Sequence, residues 1–114
     1  MESQIPANRG VEPAAPAHYS HYVRRLLERR PQWAGELRAD VSRPFLRADM
    51  ELSLGDDFPD KDALHAALRV LRQRVMLRII ARDLAGLATL DEVVVTVTAL
   101  AETAIRAALN HHAR

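Results

Sequence analysis

Three arginines, Arg74, Arg78 and Arg82, recur at four-residue intervals, a spacing that lines side chains along one face of a helix. A guanidinium is the side chain best matched to bidentate contact with phosphate or carboxylate. The row could therefore read the phosphates of a nucleotide or of a nucleic acid, although a solvated, salt-bridged helix face is the reading preferred from sequence. No base-reading aromatics or recognition-helix signature accompany it, so nucleic acid is not the expected partner. Shortly before the row lie Asp56, Asp57, Asp60 and Asp62. The Asp60-Lys61-Asp62 triplet has the outline of an Asp-x-Asp pair holding two magnesium ions beside a triphosphate. Such a pair sits on a strand behind a Gly-rich turn; here it follows Pro59 and opens a helix, so a cap and a solvated loop are expected. His18 and His21 stand three apart but lack a third ligand, and His111-His112 is expected to be a frayed end. No phosphate-binding glycine loop, dinucleotide fingerprint or nucleophile elbow occurs. The sequence nominates no catalytic, cofactor-binding or metal-binding residue.

Four residues are nominated for structural work instead: Asp83, Gly86, Thr89 and Glu92. Asp83 lies one turn from a helix end, where the dipole disfavours a carboxylate, and between two apolar stripes. It is expected to be partly buried, accepting hydrogen bonds from backbone amides near Thr89, with a salt bridge to an arginine elsewhere as the alternative. Gly86 supplies a left-handed helix stop. Thr89 and Glu92 have the spacing of a capping box, each side chain serving the other's backbone donor.

The elements that must position these residues are helices. Leu64, Leu68, Leu71, Val75 and Ile79 share one stripe, and Met76, Ile80, Leu84 and Leu87 a second beside it. A helix apolar on two faces needs neighbours on both, which points to a bundle. Asp60 is the expected cap of this long helix and Asp62 its first-turn acid. The following segment, Thr89 to about His111, is harder, because Val93 to Thr98 has high strand propensity. Periodicity decides for helix: Leu90, Val93, Val94, Val97, Leu100, Ala101, Ala104, Ile105 and Ala108 share one face, predicted to be the core face. Glu102 and Arg106 are expected to pair on the outer side. Upstream, Ser20 is read as the cap of a helix from His21 to about Arg30, ended by Pro31. Gln32 to about Asp40 is a second short helix. Pro44 opens a third, capped by Ser42, with Phe45, Leu46 and Leu52 inward. Residues 1–17 carry three prolines and few large apolar residues, and are expected to be a disordered tail.

Bulk numbers narrow the classes. The chain of 114 residues is one domain or part of one, with fifteen Leu, nine Val and four Ile against five aromatic residues. That suits an aliphatic helical core and not a base-stacking surface. Net charge is +1, too small for a field that attracts nucleic acid or anionic membrane. There is no cysteine, hence no disulfide and no thiol chemistry. No apolar run approaches a membrane span, and no secretory signal pattern opens the chain. A cytoplasmic protein is expected, and the arginine and alanine richness suggests a GC-rich bacterial source.

The run from Leu68 to Gly86, then Leu90 to Ala108 with its Thr98-Ala99-Leu100-Ala101-Glu102-Thr103-Ala104-Ile105 core, resembles the glutamine synthetase adenylyltransferase/adenylyl-removing enzyme family. The segment Ser20 to Leu27 and Pro31 are similar to that family's beginning. The resemblance covers most of the chain and rests on helix-packing patterns; Leu71 and Val75 depart from it. It implies a nucleotidyltransferase that moves AMP from ATP onto glutamine synthetase and takes it off again, using magnesium, under the PII signalling protein. The family's Gly-rich turn and paired carboxylates have no counterpart here.

The fold expected is all-α, four to five helices ending in a long antiparallel helical hairpin. Residues 18–114 are read as the helical segment preceding a missing nucleotidyltransferase domain, inactive alone. Since the last two helices alone bury too little to stand without the earlier helices, a partner chain or a following domain, that hairpin is expected to pack on something else, and the fragment made alone could self-associate. The competing reading is a small helical dimerisation module without catalysis.

Overall fold

The computed structural model describes residues 14–112, with side chains from residue 21 onward. Five helices and no strand occur among them: α1 (Ala14–Arg29), α2 (Gln32–Asp40), α3 (Arg47–Leu54), α4 (Lys61–Leu84) and α5 (Leu90–His112). None is long and apolar enough to cross a membrane. The chain divides into two compact units, Met1–Arg38 and Ala39–Arg114.

In the first unit α1 begins at Ala14, upstream of the expected His21, and Ser20 lies inside it rather than capping it. Pro16 falls in its first turn, where a missing N–H costs nothing. The rest of the expected tail, residues 1–13, lies outside the described residues. Leu26 and Trp33 are buried, and the Arg30 guanidinium sits 5.0 Å from the centroid of the Trp33 ring, within cation–π range. Pro31 ends α1 and opens the turn into α2, where the Trp33 N–H donates to the Arg30 carbonyl at 3.0 Å.

The second unit holds α3, α4 and α5. Its core joins Phe45, Met50, Leu71, Val75, Ile79 and Ala99, with Leu54, Met76, Val93 and Leu100 packed against them. α3 starts later than expected, at Arg47 with Leu46 as N-cap. The reason is Asp49: its carboxylate accepts from the Leu46 N–H at 3.0 Å and pairs with Arg43 at 3.3 Å, so Ser42 and Pro44 stay outside. The Leu46 N–H, and then Arg43, hold the Asp49 carboxyl below the usual carboxylate range. That start also turns α3. Met50 is fully buried, while Leu46 and Leu52, expected inward, are 54% and 85% exposed.

α4 begins where Asp60 caps it, its carboxylate accepting from the Ala63 N–H at 2.8 Å. It stops at Gly86, whose φ of +74° belongs to the region that L side chains avoid. The Gly86 N–H donates to Asp83 at 3.0 Å and the Leu87 N–H to Arg82 at 2.8 Å, the paired bonds of a Schellman stop. α5 follows, and its buried residues are Thr96, Ala99 and Thr103. That is a correction of roughly a third of a turn: Leu90, Val94, Val97 and Ile105, expected in the core, are exposed. Ion pairs to α3 accompany the rotation. Glu102 pairs with Arg47 and Arg106 with Glu51 at 3.6 Å, so both reach α3 instead of each other. Small residues on the inner face then let α5 approach closely, with the Thr103 hydroxyl 4.0 Å from the Met50 sulfur.

Candidate functional site

The three arginines on α4 do not form a solvated face. Arg78 is 9% and Arg82 5% exposed. Burying a guanidinium costs several kcal/mol unless its donors are met, and the three rungs meet that demand differently. Arg82 lies in the last turn of α4 and Glu92 in the first turn of α5. Its Nε and Nη2 donate to the two carboxylate oxygens of Glu92 at 2.6 and 2.7 Å, a bidentate fork of the strongest type. Nη1 donates to the Val41 carbonyl at 2.9 Å, and Nη2 also reaches the Leu87 carbonyl at 3.2 Å. One side chain thus joins α4, α5, the turn between them and the segment after α2. The fork holds the Glu92 carboxyl below its usual range and raises the Arg82 guanidinium further above its own.

Arg78 lies one turn earlier, its Cζ 4.4 Å from the centroid of the Phe45 ring and its Nη2 3.6 Å from the Asp40 carboxylate. Its Nη1 is buried without a hydrogen-bond partner among the described residues. Burial pushes this guanidinium down, and Asp40 offsets part of the shift. Arg74 donates to the Ser53 hydroxyl at 3.0 Å, reaching α3. Arg78 and Arg82 are internal rungs that tie α4 to its neighbours, while the half-buried Arg74 meets an exposed hydroxyl.

The other nominated residues separate. Thr89 accepts from the Glu92 N–H at 3.1 Å, but the Glu92 carboxylate is held by Arg82, so it does not close a capping box. Asp83 is exposed, a correction to its expected burial, and it is its backbone carbonyl that serves the turn. Exposure removes the conflict with the helix dipole, because water screens the charge. Asp56, Asp57, Asp60 and Asp62 are exposed, and the Asp60 carboxylate is committed to its cap. No group of three His, Asp or Glu able to hold a metal occurs among the described residues. His21 is exposed; the side chain of His18 lies outside the described residues. His111 is not frayed: it is helical and half-buried, beside Glu51, Thr103, Arg106 and Asn110 in a cleft of about 570 Å³.

Sequence reasoning missed the Arg82–Glu92 fork, and a signal for it was present. Arg82 is four residues before the helix-stopping Gly86, and Glu92 three after the capping Thr89. Across so short a link the last turn of one helix and the first turn of the next are within reach of each other.

Comparison with known proteins bears on what such a scaffold serves. The family profile described as glutamate-ammonia ligase adenylyltransferase matches residues 15–114. A bifunctional glutamine synthetase adenylyltransferase/adenylyl-removing enzyme from Chromobacterium violaceum is 45% identical over 108 residues, 92% of this chain and 12% of the relative. A relative of the same description from Nitrosomonas europaea is 48% identical over 94 residues, 80% of this chain and 10% of its own. One from Ralstonia nicotianae is 40% identical over 97 residues, covering 81% and 10%. The chain therefore spans about a tenth of the length of these curated relatives. No solved structure matches it.

Proposed function

The chain belongs to the glutamate-ammonia ligase adenylyltransferase family, and from that membership we propose that it forms the amino-terminal helical scaffold of an enzyme that adenylylates and deadenylylates glutamine synthetase. In this reading it contributes no catalytic group and is inactive by itself. ATP and magnesium act in a nucleotidyltransferase domain elsewhere in the enzyme. Glutamine synthetase and the PII signalling protein are partners of the whole, in the cytoplasm. The observation that carries the reading is the use of Arg82, one of the three arginines whose spacing could have met phosphate, as an internal staple onto Glu92 and two backbone carbonyls. A site for nucleotide would keep such a fork open to solvent.

The scaffold is proposed to end in an antiparallel hairpin of α4 and α5. Supporting this, Arg82 late in α4 grips Glu92 early in α5, while Leu68 and Arg72, earlier in α4, line a groove with Ala101 and Ala104, later in α5.

The test has two arms. The purified chain, given magnesium and ATP, should neither label glutamine synthetase with AMP nor release heat in a calorimeter. Substituted for the matched segment of the Chromobacterium relative, it should leave AMP transfer in place. Micromolar ATP binding by the chain alone, or a folded graft without transfer, would overturn the scaffold reading.

A further inference from the structure

We propose that the outward face of α5 is the seat of a second, acid-edged helix contributed by the remainder of the full-length enzyme. This rests on the reading of the chain as one part of a longer protein. The face is a stripe of Leu90, Val94, Val97, Ala101, Ile105 and Ala108, at steps of three or four that keep one side of a helix facing one direction. All six are exposed, Leu90 by 78% and Ile105 by 60%. A continuous aliphatic stripe along five turns exceeds the scattered apolar residues of an ordinary surface. Its spacing is that of the anchors a partner helix reads in a groove. The groove itself, about 480 Å³, runs between α5 and α4 and is lined by Val97, Leu100 and Ala101 on one side.

The opposite rim carries the charge that identifies the occupant. His65, Arg69 and Arg72 border the groove, all three exposed. Among the described residues no carboxylate pairs with either arginine, in contrast to Arg78 and Arg82, about two and three turns beyond Arg72. A helix seated here therefore needs apolar side chains beneath and Asp or Glu along the edge that meets α4.

A second copy of this chain fits worse. In a two-fold antiparallel pairing through α5, the axis carries each rim onto its own counterpart. Arg69 and Arg72 would then face the same arginines of the other copy, and like charges brought together across an interface oppose association. The matched region is 12% of the Chromobacterium relative, so most of such an enzyme lies outside it and can supply the helix.

The absence of native cysteine permits a direct test. Ala101→Cys in the 114-residue chain should react with a water-soluble maleimide as a freely exposed thiol, at a rate independent of protein concentration. The same variant grafted into the Chromobacterium enzyme should react roughly ten-fold or more slowly, the protection expected of a covered site. Adding Arg69→Glu and Arg72→Glu to the graft should restore most of the reactivity. A thiol as fast in the graft as in the chain alone overturns the proposal. So does protection that grows with concentration in the chain alone, which assigns the face to a second copy. Protection indifferent to the charge reversal overturns the acidic edge. AMP transfer by the graft reports separately: transfer with an unprotected thiol removes this inference and leaves the scaffold reading standing, and a protected thiol without transfer does the reverse.

Discussion

Replacing Arg82 with methionine tests whether the ladder holds the second unit together. The substitution keeps much of the aliphatic stem and removes four hydrogen bonds, two to Glu92 and one each to the carbonyls of Val41 and Leu87. The Glu92 carboxylate, 19% exposed, is left partly desolvated and unpaired. Breaking a buried pair from one side costs about 3–5 kcal/mol; the residual exposure of Glu92 places this case near 3 kcal/mol. For a domain of this size that lowers Tm by roughly 12 °C or more. Replacing both partners, Arg82→Met with Glu92→Leu, removes the stranded charge and should recover to within about 1.5 kcal/mol of the parent chain. Urea unfolding followed by circular dichroism reads all three variants, and the coupling between the sites should exceed about 1.5 kcal/mol. The fork also sets a pH dependence. Glu92 titrates below the ordinary glutamate value of 4.5 when folded, so its contribution is complete above that pH and is lost as the pH falls through the lowered value. Arg82 is shifted upward, so its share is constant at every lower pH. Asp49 also titrates low, and the difference between the parent and Glu92→Gln isolates Glu92: the two Tm curves should converge in acid. Additive single and double variants, or an Arg82→Met cost under about 1 kcal/mol, would refute the reasoning.

Three further outcomes follow from the same geometry. Asp83→Ala should change stability by no more than about 0.5 kcal/mol in urea unfolding, since an exposed side chain is removed; a large loss would restore the hidden acceptor role read from sequence. Gly86→Ala should cost about 1 kcal/mol by the same measurement. A Cβ there meets nothing within 4 Å, so the whole cost is the left-handed backbone. Asp60→Ala should cost about 1 kcal/mol through the lost cap on α4, and Asp60→Asn should recover most of it in thermal melts.

How much of this was legible depends on whether the cause was local. Asp60, Gly86 and Thr89 act on backbone groups within three or four residues, and their types announce that action. The valine run of α5 is helical despite its strand propensity because the 3.6-residue period runs through it. The buried ladder was not legible from period alone. Polar residues at four-residue spacing describe a face, and whether water or protein covers it depends on Glu92 and Val41, which sit on other elements. Asp83 misled for the same reason: its place between two apolar stripes implied burial only if both stripes were covered, and Leu84 and Leu87 beside it are 41% and 47% exposed.

The rotation of α5 is the case where a sound periodicity placed only one edge of the predicted face, Val93 and Leu100, against the core, and the rotation carries a cost. Burying a Val, Leu or Ile side chain contributes about 1.5–3 kcal/mol. By turning Thr96, Ala99 and Thr103 inward, α5 leaves Leu90, Val94, Val97 and Ile105 in water and forgoes several kcal/mol that the opposite rotation would collect. For a domain whose total margin is on the order of 5–15 kcal/mol, that is a large concession, which the buried Arg82–Glu92 fork offsets in part; the Arg47–Glu102 and Arg106–Glu51 pairs are exposed and add little. The arrangement is consistent for a helix that is covered on both sides: the small-residue face admits close approach to Met50 and Val75, and the large aliphatic face remains for a neighbour. The hydrophobic stripe in the sequence is therefore the feature on which the proposed seat for a neighbouring helix rests.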